Sequence, residues 1–286
     1  MSRTPFAPLF DRLVDDAAVF PPGLAPLDEA VRGHLDRRTG PYAASLGPLL
    51  VPATSAGELA RLATDDPRTA VEPLAVGLVV RPGAPVQPLV DALGALQDDE
   101  RVLVTAVELG WSPQWRELLA AQVPAVVEVG LGAEQERALD DIADAVDDEH
   151  DVTAKFRTGA TPTWAWPGEH VLAGFLDAVV LHGLPFKLTG GLHHAVRGTH
   201  GGEPMHGVLN VLLATHEALH GAEAHELAGE LARTDTEVLV TAVSSLGAED
   251  AARIRRSFTA FGCCGVLDPL HELEAFGLVT AKETHP

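Results

Sequence analysis

Short runs rich in Val, Leu and Ala alternate along the chain with longer segments whose apolar residues recur every three or four positions. The first pattern reads as buried strands and the second as amphipathic helices. Strands are expected at 17–22 (AAVFPP), 46–52 (LGPLLVP), 73–80 (PLAVGLVV) and 102–107 (VLVTAV). Four more are expected at 124–129 (PAVVEV), 152–157 (VTAKFR), 185–189 (PFKLT) and 258–262 (FTAFG). Helical patterns such as LDEAVRGHLDRR, AGELARLAT, VQPLVDALGALQ and EQERALDDIADAV lie between them. Such alternation implies a parallel sheet. Eight strands predict a single α/β domain over residues 1–286, closed as a (β/α)8 TIM barrel, with an open doubly wound sheet as the main alternative. The gap between the seventh and eighth strands is long. It predicts a helical insertion at about 192–256 containing MHGVLNVLLATHEALHG and AHELAGELART, with TEVLVTAV at 236–243 read as an extra strand.

Composition narrows the class. The 286 residues are 46% hydrophobic with a mean hydropathy of +0.11, which indicates a packed globule. No apolar run is long enough to cross a membrane, and MSRTPFAPLFDRLVDD carries acidic residues where a signal peptide needs an apolar stretch. The two cysteines, Cys263 and Cys264, are adjacent and cannot build a disulfide framework. A cytoplasmic protein without a membrane partner is expected. The net charge of −21 argues against nucleic acid, whose phosphates need clustered Lys and Arg. The acidic residues read as solubilising helix faces. The expected partner is a small molecule, anionic in one version, and the sequence leaves a homo-oligomer open.

Positive charge is almost all arginine: of 20 basic residues only Lys155, Lys187 and Lys282 are lysines. Two of these end apolar, strand-like runs. Barrel active sites sit at the carboxyl ends of the strands, which makes Arg81, Glu108, Glu128, Lys155, Arg157, Lys187 and the loop GGLHHAVRG candidates. A buried ammonium must be paired or neutral. One reading therefore gives Lys155 a salt bridge to Glu128 or Glu108. The other makes it an amine that attacks a carbonyl, its pKa depressed below about 10.4 by burial and by Lys187.

Three segments carry a resemblance. AKFRTG, FKLTGGLHHA and AFGCCGVL resemble, in order, the strand-six, strand-seven and last-strand motifs of deoxyribose-phosphate aldolases, which are class I (Schiff-base) aldolases. Lys155 and Lys187, 32 residues apart, fall in the register of that family's two lysines. The resemblance implies that Lys155 forms the Schiff base and Lys187 tunes it. Cys263 and Cys264 replace the paired serines that hold a substrate phosphate in the family, the loop before the last strand is longer, and His193-His194 has no counterpart. The chain also resembles an uncharacterised bacterial family with FPP near the start and KFRTG later.

Eight of the 13 histidines lie between His182 and His225. His193 is a candidate general acid or base, joining Lys155, Lys187 and Glu128 as the expected catalytic set. Arg157, Thr158, Thr189, Gly190, Gly191, His194, Arg197, His206 and Asn210 form the expected substrate-binding set. In it Gly190-Gly191 would bring backbone N–H groups to an anion and the two arginines would bind it bidentately. No metal or cofactor is expected in the main reading. The alternative is a hydrolase, isomerase or lyase holding Zn²⁺ or Mn²⁺ at the His193–His206 cluster. His216-Glu217-Ala218-Leu219-His220 matches H-E-x-x-H, but ten residues beyond His206 carry it toward the far face of a barrel. Cys263-Cys264 reads as packing, with a thiolate nucleophile as the alternative. The leading expectation is a Schiff-base carbon–carbon lyase acting on a small carbonyl or sugar-derived metabolite. A non-catalytic barrel that binds an acidic metabolite is the third reading.

Overall fold

Along most of the strand runs, one set of alternate residues is large and apolar while the other is charged, small or a proline. Such a strand can be buried on both faces only if the apolar face meets helices and the other lines an enclosed interior. The computed structural model, which describes residues 7–281, has that arrangement. Eight parallel strands close into a barrel: β1 (Val14–Asp16), β2 (Leu46–Pro52), β3 (Leu74–Val79), β4 (Val102–Gly110), β5 (Ala125–Glu128), β6 (Val152–Arg157), β7 (Phe186–Thr189) and β8 (Phe258–Cys263). Each pairs in parallel with its sequence neighbours, and β1 pairs with β8. The fold is the α/β (β/α)8 barrel.

The helical layer comprises α1 (Leu27–Arg37), α2 (Ala56–Asp65), α3 (Gln87–Leu96), α4 (Ala133–Asp147) and α5 (Glu169–Leu181). A 3₁₀ stretch, Trp115–Ala121, takes the helix position between β4 and β5. Between β7 and β8 lie an antiparallel hairpin (Gly198–His200 with Glu203–Met205), α6 (Val208–Leu219), α7 (Ala224–Ala232), α8 (Thr236–Ser245) and α9 (Ala248–Ser257). Helix α10 (Leu267–Ala275) follows β8. The outward faces of β6, β7 and β8 carry an aromatic ladder. Phe156 stacks on Phe175 of α5 at 4.6 Å between ring centroids, Phe175 meets Phe186 edge-on at 5.8 Å, and Phe186 stacks on Phe258 at 5.1 Å. Among the described residues no helix is long and apolar enough to cross a membrane.

Two expected elements are corrected. The first strand is Val14–Asp16, upstream of 17–22. Ala17 adds one more ladder bond, to the Cys263 carbonyl, after which the chain turns, with a cis bond between Pro21 and Pro22. Proline has no N–H to give a parallel ladder. The true strand, VDD, escaped a hydropathy reading because both acids are buried. Asp15 faces the barrel axis, and Asp16 faces α1, where it bonds His34 Nδ1 at 3.1 Å and the Arg37 guanidinium. The second correction is 236–243, which is helix α8. The Asp235 side chain caps it by accepting from the Val238 N–H, and the buried Leu239 and Val243 are spaced i, i+4.

The Asp16 contact fastens the first strand to the first helix and yields a prediction. Burial pushes the Asp16 carboxyl up, but His34 and Arg37 outweigh it and hold the pKa below its ordinary value. A depressed carboxylate contributes stability above its unfolded pKa and loses it as pH falls through the folded value. Asp16→Asn should therefore lower unfolding free energy by about 3 kcal/mol near neutrality, as expected for breaking a buried ion pair, and flatten the loss of stability below about pH 4. Denaturant titration across pH tests this; a variant within about 0.5 kcal/mol of the parent at every pH, the range of an ordinary surface change, would refute it.

Candidate active site

The strand register sets the site. Glu128 of β5 lies beside Lys155 of β6, Lys155 beside Lys187 of β7, and Lys187 beside Ala260 of β8. The alternation that sends Ala154, Phe156, Phe186 and Leu188 outward into the core turns both lysines inward. Two ammonium groups on neighbouring strands inside a barrel are untenable without anions. Three carboxylates supply them. Lys155 Nζ lies 3.0 Å from Glu108 Oε2 and 2.9 Å from Glu128 Oε2. Lys187 Nζ bonds the other Glu108 oxygen and Asp15. Arg157, two residues beyond Lys155 on the same face, donates to Glu128 Oε1 at 3.0 Å. The result is a chain, Asp15–Lys187–Glu108–Lys155–Glu128–Arg157, with three negative and three positive groups. All but the last are nearly sealed from solvent: Lys155 is 3% exposed, Lys187 4% and Glu108 1%.

Small residues make room for it. A side chain at Gly47 of β2 would collide with the Asp15 carboxylate, its Cβ falling 1.9 Å from Oδ1. On the amino-terminal side of the cluster the interior is lined by Gly77, Thr105, Ala106, Val126, Thr153, Thr259 and Ala260, leaving a cavity of about 380 Å³ that touches Lys187, Asp15 and Glu108. Arg255 of α9 reaches this floor, donating to the carbonyls of Asp11 and Thr259. A second cavity, about 230 Å³ and lined largely by apolar side chains, lies between α1 and α10 and contains none of the cluster residues.

Charge pairing decides the protonation states. Burial works against the Lys155 ammonium, but Glu128 and Glu108 outweigh it and raise its pKa above the usual lysine value. Lys187 is raised for the same reason by Asp15 and Glu108. The expected depression of a lysine pKa is thus corrected: like-charge repulsion is real but smaller than the pull of the intervening carboxylates. Burial opposes the Glu108 anion, yet the two lysines bring its pKa down to about 2. Glu128 is lowered by Lys155 and Arg157 against the same opposition. At Asp15 burial prevails over Lys187 and the pKa rises, making it the most readily protonated carboxylate of the three.

Other expected site residues have different surroundings. Thr189 of β7 is the register neighbour of Arg157 and of Gly262. The Thr158 hydroxyl donates to the Gly190 carbonyl, and Gly190 and Gly191 take φ values of 71° and 80°, a turn that favours glycine. His193 is not bonded to the lysine cluster. It sits 3.6 Å from Cys263 Sγ, 3.5 Å from Cys264 Sγ and 3.1 Å from Asp268 Oδ2, contacts that push its pKa up to about 11. Burial raises the Cys263 thiol against the pull of His193. His194 bonds Glu272 at 2.7 Å and stacks on His200.

Arg197, His206 and Asn210 bolt the loop to the helices. Arg197 pairs with Glu169 and donates to His206 Nδ1, while His206 Nε2–H donates to the Pro167 carbonyl. Burial first, and then Arg197, bring the His206 pKa down to about 4, so the ring is neutral. Asn210 accepts from the Arg197 N–H and donates to the carbonyls of Glu230 and Arg233. The ring and amide groups of His206 and Asn210 are thereby engaged within the protein. Among the described residues the one group of three or more His, Cys, Asp or Glu with ligand atoms within 4.8 Å of one another is His216, His220 and Asp250, outside the His193–His206 segment. Sequence reasoning missed Asp15 and Asp16, and offered Glu108 as a strand-end acid and an alternative partner for Lys155, not as the bridge between both lysines.

No protein-family model matches the chain, and no curated protein matches it significantly.

Glu108 is the keystone of the cluster, and its removal makes a specific prediction. The lysine charges stabilise the fold below the lysines' unfolded pKa of about 10.5, and that contribution is lost as pH rises through the raised folded values. In Glu108→Gln each ammonium loses one of its two carboxylates. At least one lysine pKa should drop into the neutral range, with about 3 kcal/mol of stability lost. Since the sequence has three lysines, a ¹⁵N-lysine NMR titration resolves them individually. Unchanged titration of Lys155 and Lys187 in the variant would contradict the charge-balance account.

Proposed function

We propose that the protein is a Schiff-base carbon–carbon lyase acting on a small carbonyl compound that bears an anionic group. The observation that carries this reading is the pair of buried lysines, adjacent in register on β6 and β7 and bridged by Glu108. Support also comes from position, since Glu128 and Arg157 end their strands at the carboxyl end of the barrel, where barrel enzymes hold their chemistry.

The resting ion pairs protect the amine until substrate arrives. A substrate carboxylate or phosphate draws Arg157 away from Glu128, and the Glu128 pKa rises. Burial already favours the neutral form of both partners, so a proton passes from Lys155 to Glu128 within their contact. Lys187, held charged by Asp15 and Glu108, disfavours return of that proton by electrostatic repulsion. The Lys155 amine adds to the carbonyl carbon. The resulting hydroxyl takes the proton from Glu128 and leaves as water, forming an iminium. Glu128, again anionic, accepts the proton of the substrate's β-hydroxyl. The carbon–carbon electron pair flows into the iminium, giving an enamine and releasing an aldehyde. Glu128 returns the proton to the enamine carbon, and water hydrolyses the new iminium to free product and Lys155. The iminium is the electron sink, so the step asks for no metal.

Borohydride added with glyoxylate or acetaldehyde should attach a reduced adduct to Lys155, read by peptide mass mapping. Lys155→Arg should abolish it and Lys187→Arg should slow it. Arg157→Ala should slow trapping of glyoxylate by roughly 10- to 100-fold, the value of a charge-assisted contact, and leave acetaldehyde little changed. An adduct that never forms on Lys155 in the parent chain rules the mechanism out. Trapping should survive EDTA; its loss on chelation, with recovery on adding Zn²⁺ or Mn²⁺, would replace this reading with a metal-dependent one.

A further inference from the structure

Helix α6 ends in HEAL with His220 as its C-terminal cap, and the two histidines, one turn apart, present their rings on the same side, with centroids 4.3 Å apart. Opposite them stands Asp250, in the first turn of α9. Asp250 Oδ1 lies 3.8 Å from His216 Nε2 and 4.0 Å from His220 Nε2. The other nitrogen of each ring is already engaged. His220 Nδ1 is 2.8 Å from the His216 carbonyl and His216 Nδ1 is 3.3 Å from Glu217 Oε1. Both partners can only accept, so Nδ1 is a donor in each ring and Nε2 is the atom each ring presents beside the Asp250 carboxylate. His216 Nε2, His220 Nε2 and Asp250 Oδ1 thus converge, the ligand atoms of the three residues lying within 4.8 Å of one another. A carbonyl or carboxylate fixing the far nitrogen of each ring is the arrangement that orients histidines on metals.

We propose that His216, His220 and Asp250 bind one divalent transition-metal ion of the Zn²⁺ type, clamping the end of α6 to the start of α9. A tetrahedral ion with bonds of about 2.0–2.1 Å needs ligand atoms about 3.3 Å apart, so Asp250 Oδ1, now 3.8 and 4.0 Å from the two ring nitrogens, has to close on them by roughly 0.5–0.7 Å. Imidazole and carboxylate suit Zn²⁺ and reject Mg²⁺, which prefers an oxygen shell. Glu217 is not the water-activating residue of a zinc protease here. Its carboxylate meets Nδ1 of His216, the ring nitrogen turned away from Asp250. None of the three ligands lines either cavity described above. The site is a clamp within the β7–β8 insertion. Helix α9 runs on to Arg255 at the barrel floor, so the ion fixes the helix that closes the amino-terminal end.

The test is titration of tag-free full-length protein with ZnCl₂ and, separately, MgCl₂, followed by calorimetry and thermal melting. One Zn²⁺ should bind per chain and raise Tm, with no Mg²⁺ binding. Asp250 and His220 are 33% and 44% exposed at the side chain, so Asp250→Asn and His220→Ala keep the fold. Each should weaken Zn²⁺ binding by roughly 100-fold and remove the Tm shift. A control with His193→Ala, Cys263→Ser and Cys264→Ser removes the other soft-ligand cluster and should still bind one ion. Absence of stoichiometric Zn²⁺, or binding lost in the control and kept in Asp250→Asn and His220→Ala, overturns the proposal.

Discussion

Two positive charges cannot be enclosed in a barrel without negative ones, and that requirement governs the interior of this protein. Lys155 and Lys187 are neighbours because β6 and β7 are neighbours, and the closed sheet allows neither to reach solvent along its own strand. The compensating acids come from β1, β4 and β5, so three of the eight barrel strands supply the charges that balance the sixth and seventh. The register of these strands is thereby fixed by electrostatics as well as by packing. A shift of one residue would turn an acid outward into the apolar core and leave an ammonium bare. Glycine at position 47 follows from the same demand, because the Asp15 carboxylate occupies the space of its side chain.

The same network explains what could be read in the chain and what could not. The strands β2 to β8 were legible because their outward residues are apolar and their helices have helical spacing. The lysines stood out because the chain uses arginine nearly everywhere else. The first strand was not legible: two of its three residues are aspartates, and burial of an acid leaves no trace in hydropathy. A charge argument could have found it, since two enclosed lysines demand at least two enclosed acids and VDD lies just ahead of the expected strand. Helix α8 was misread for the opposite reason, because Thr and Val at alternate positions imitate a strand where tertiary packing selects a helix.

The histidine-rich segment shows how composition alone misleads about chemistry. His193 pairs with two thiols and Asp268, His194 with Glu272, and His206 with a carbonyl and an arginine. Asp268 and Glu272 both belong to α10 and Pro167 lies just ahead of α5, so one dense stretch of sequence becomes separate joints tying the long insertion to these two neighbours. The pair that does converge, His216 and His220, draws its third member from 30 residues further on. Density along the chain was a poor guide to density in space.

Withdrawal of Lys155 and Lys187 from solvent has a consequence beyond the chemistry of any one reaction. Reagents that modify amines ordinarily meet a protein surface dotted with lysines and report little about its interior. Here the guanidinium groups outside are inert to such reagents, and two of the three lysine amines lie behind ion pairs in the middle of the fold. Acylation of either can proceed only as fast as its ion pairs part and the amine sheds its proton. The chain thus carries two internal clocks for its own breathing, read by mass spectrometry without introducing a label.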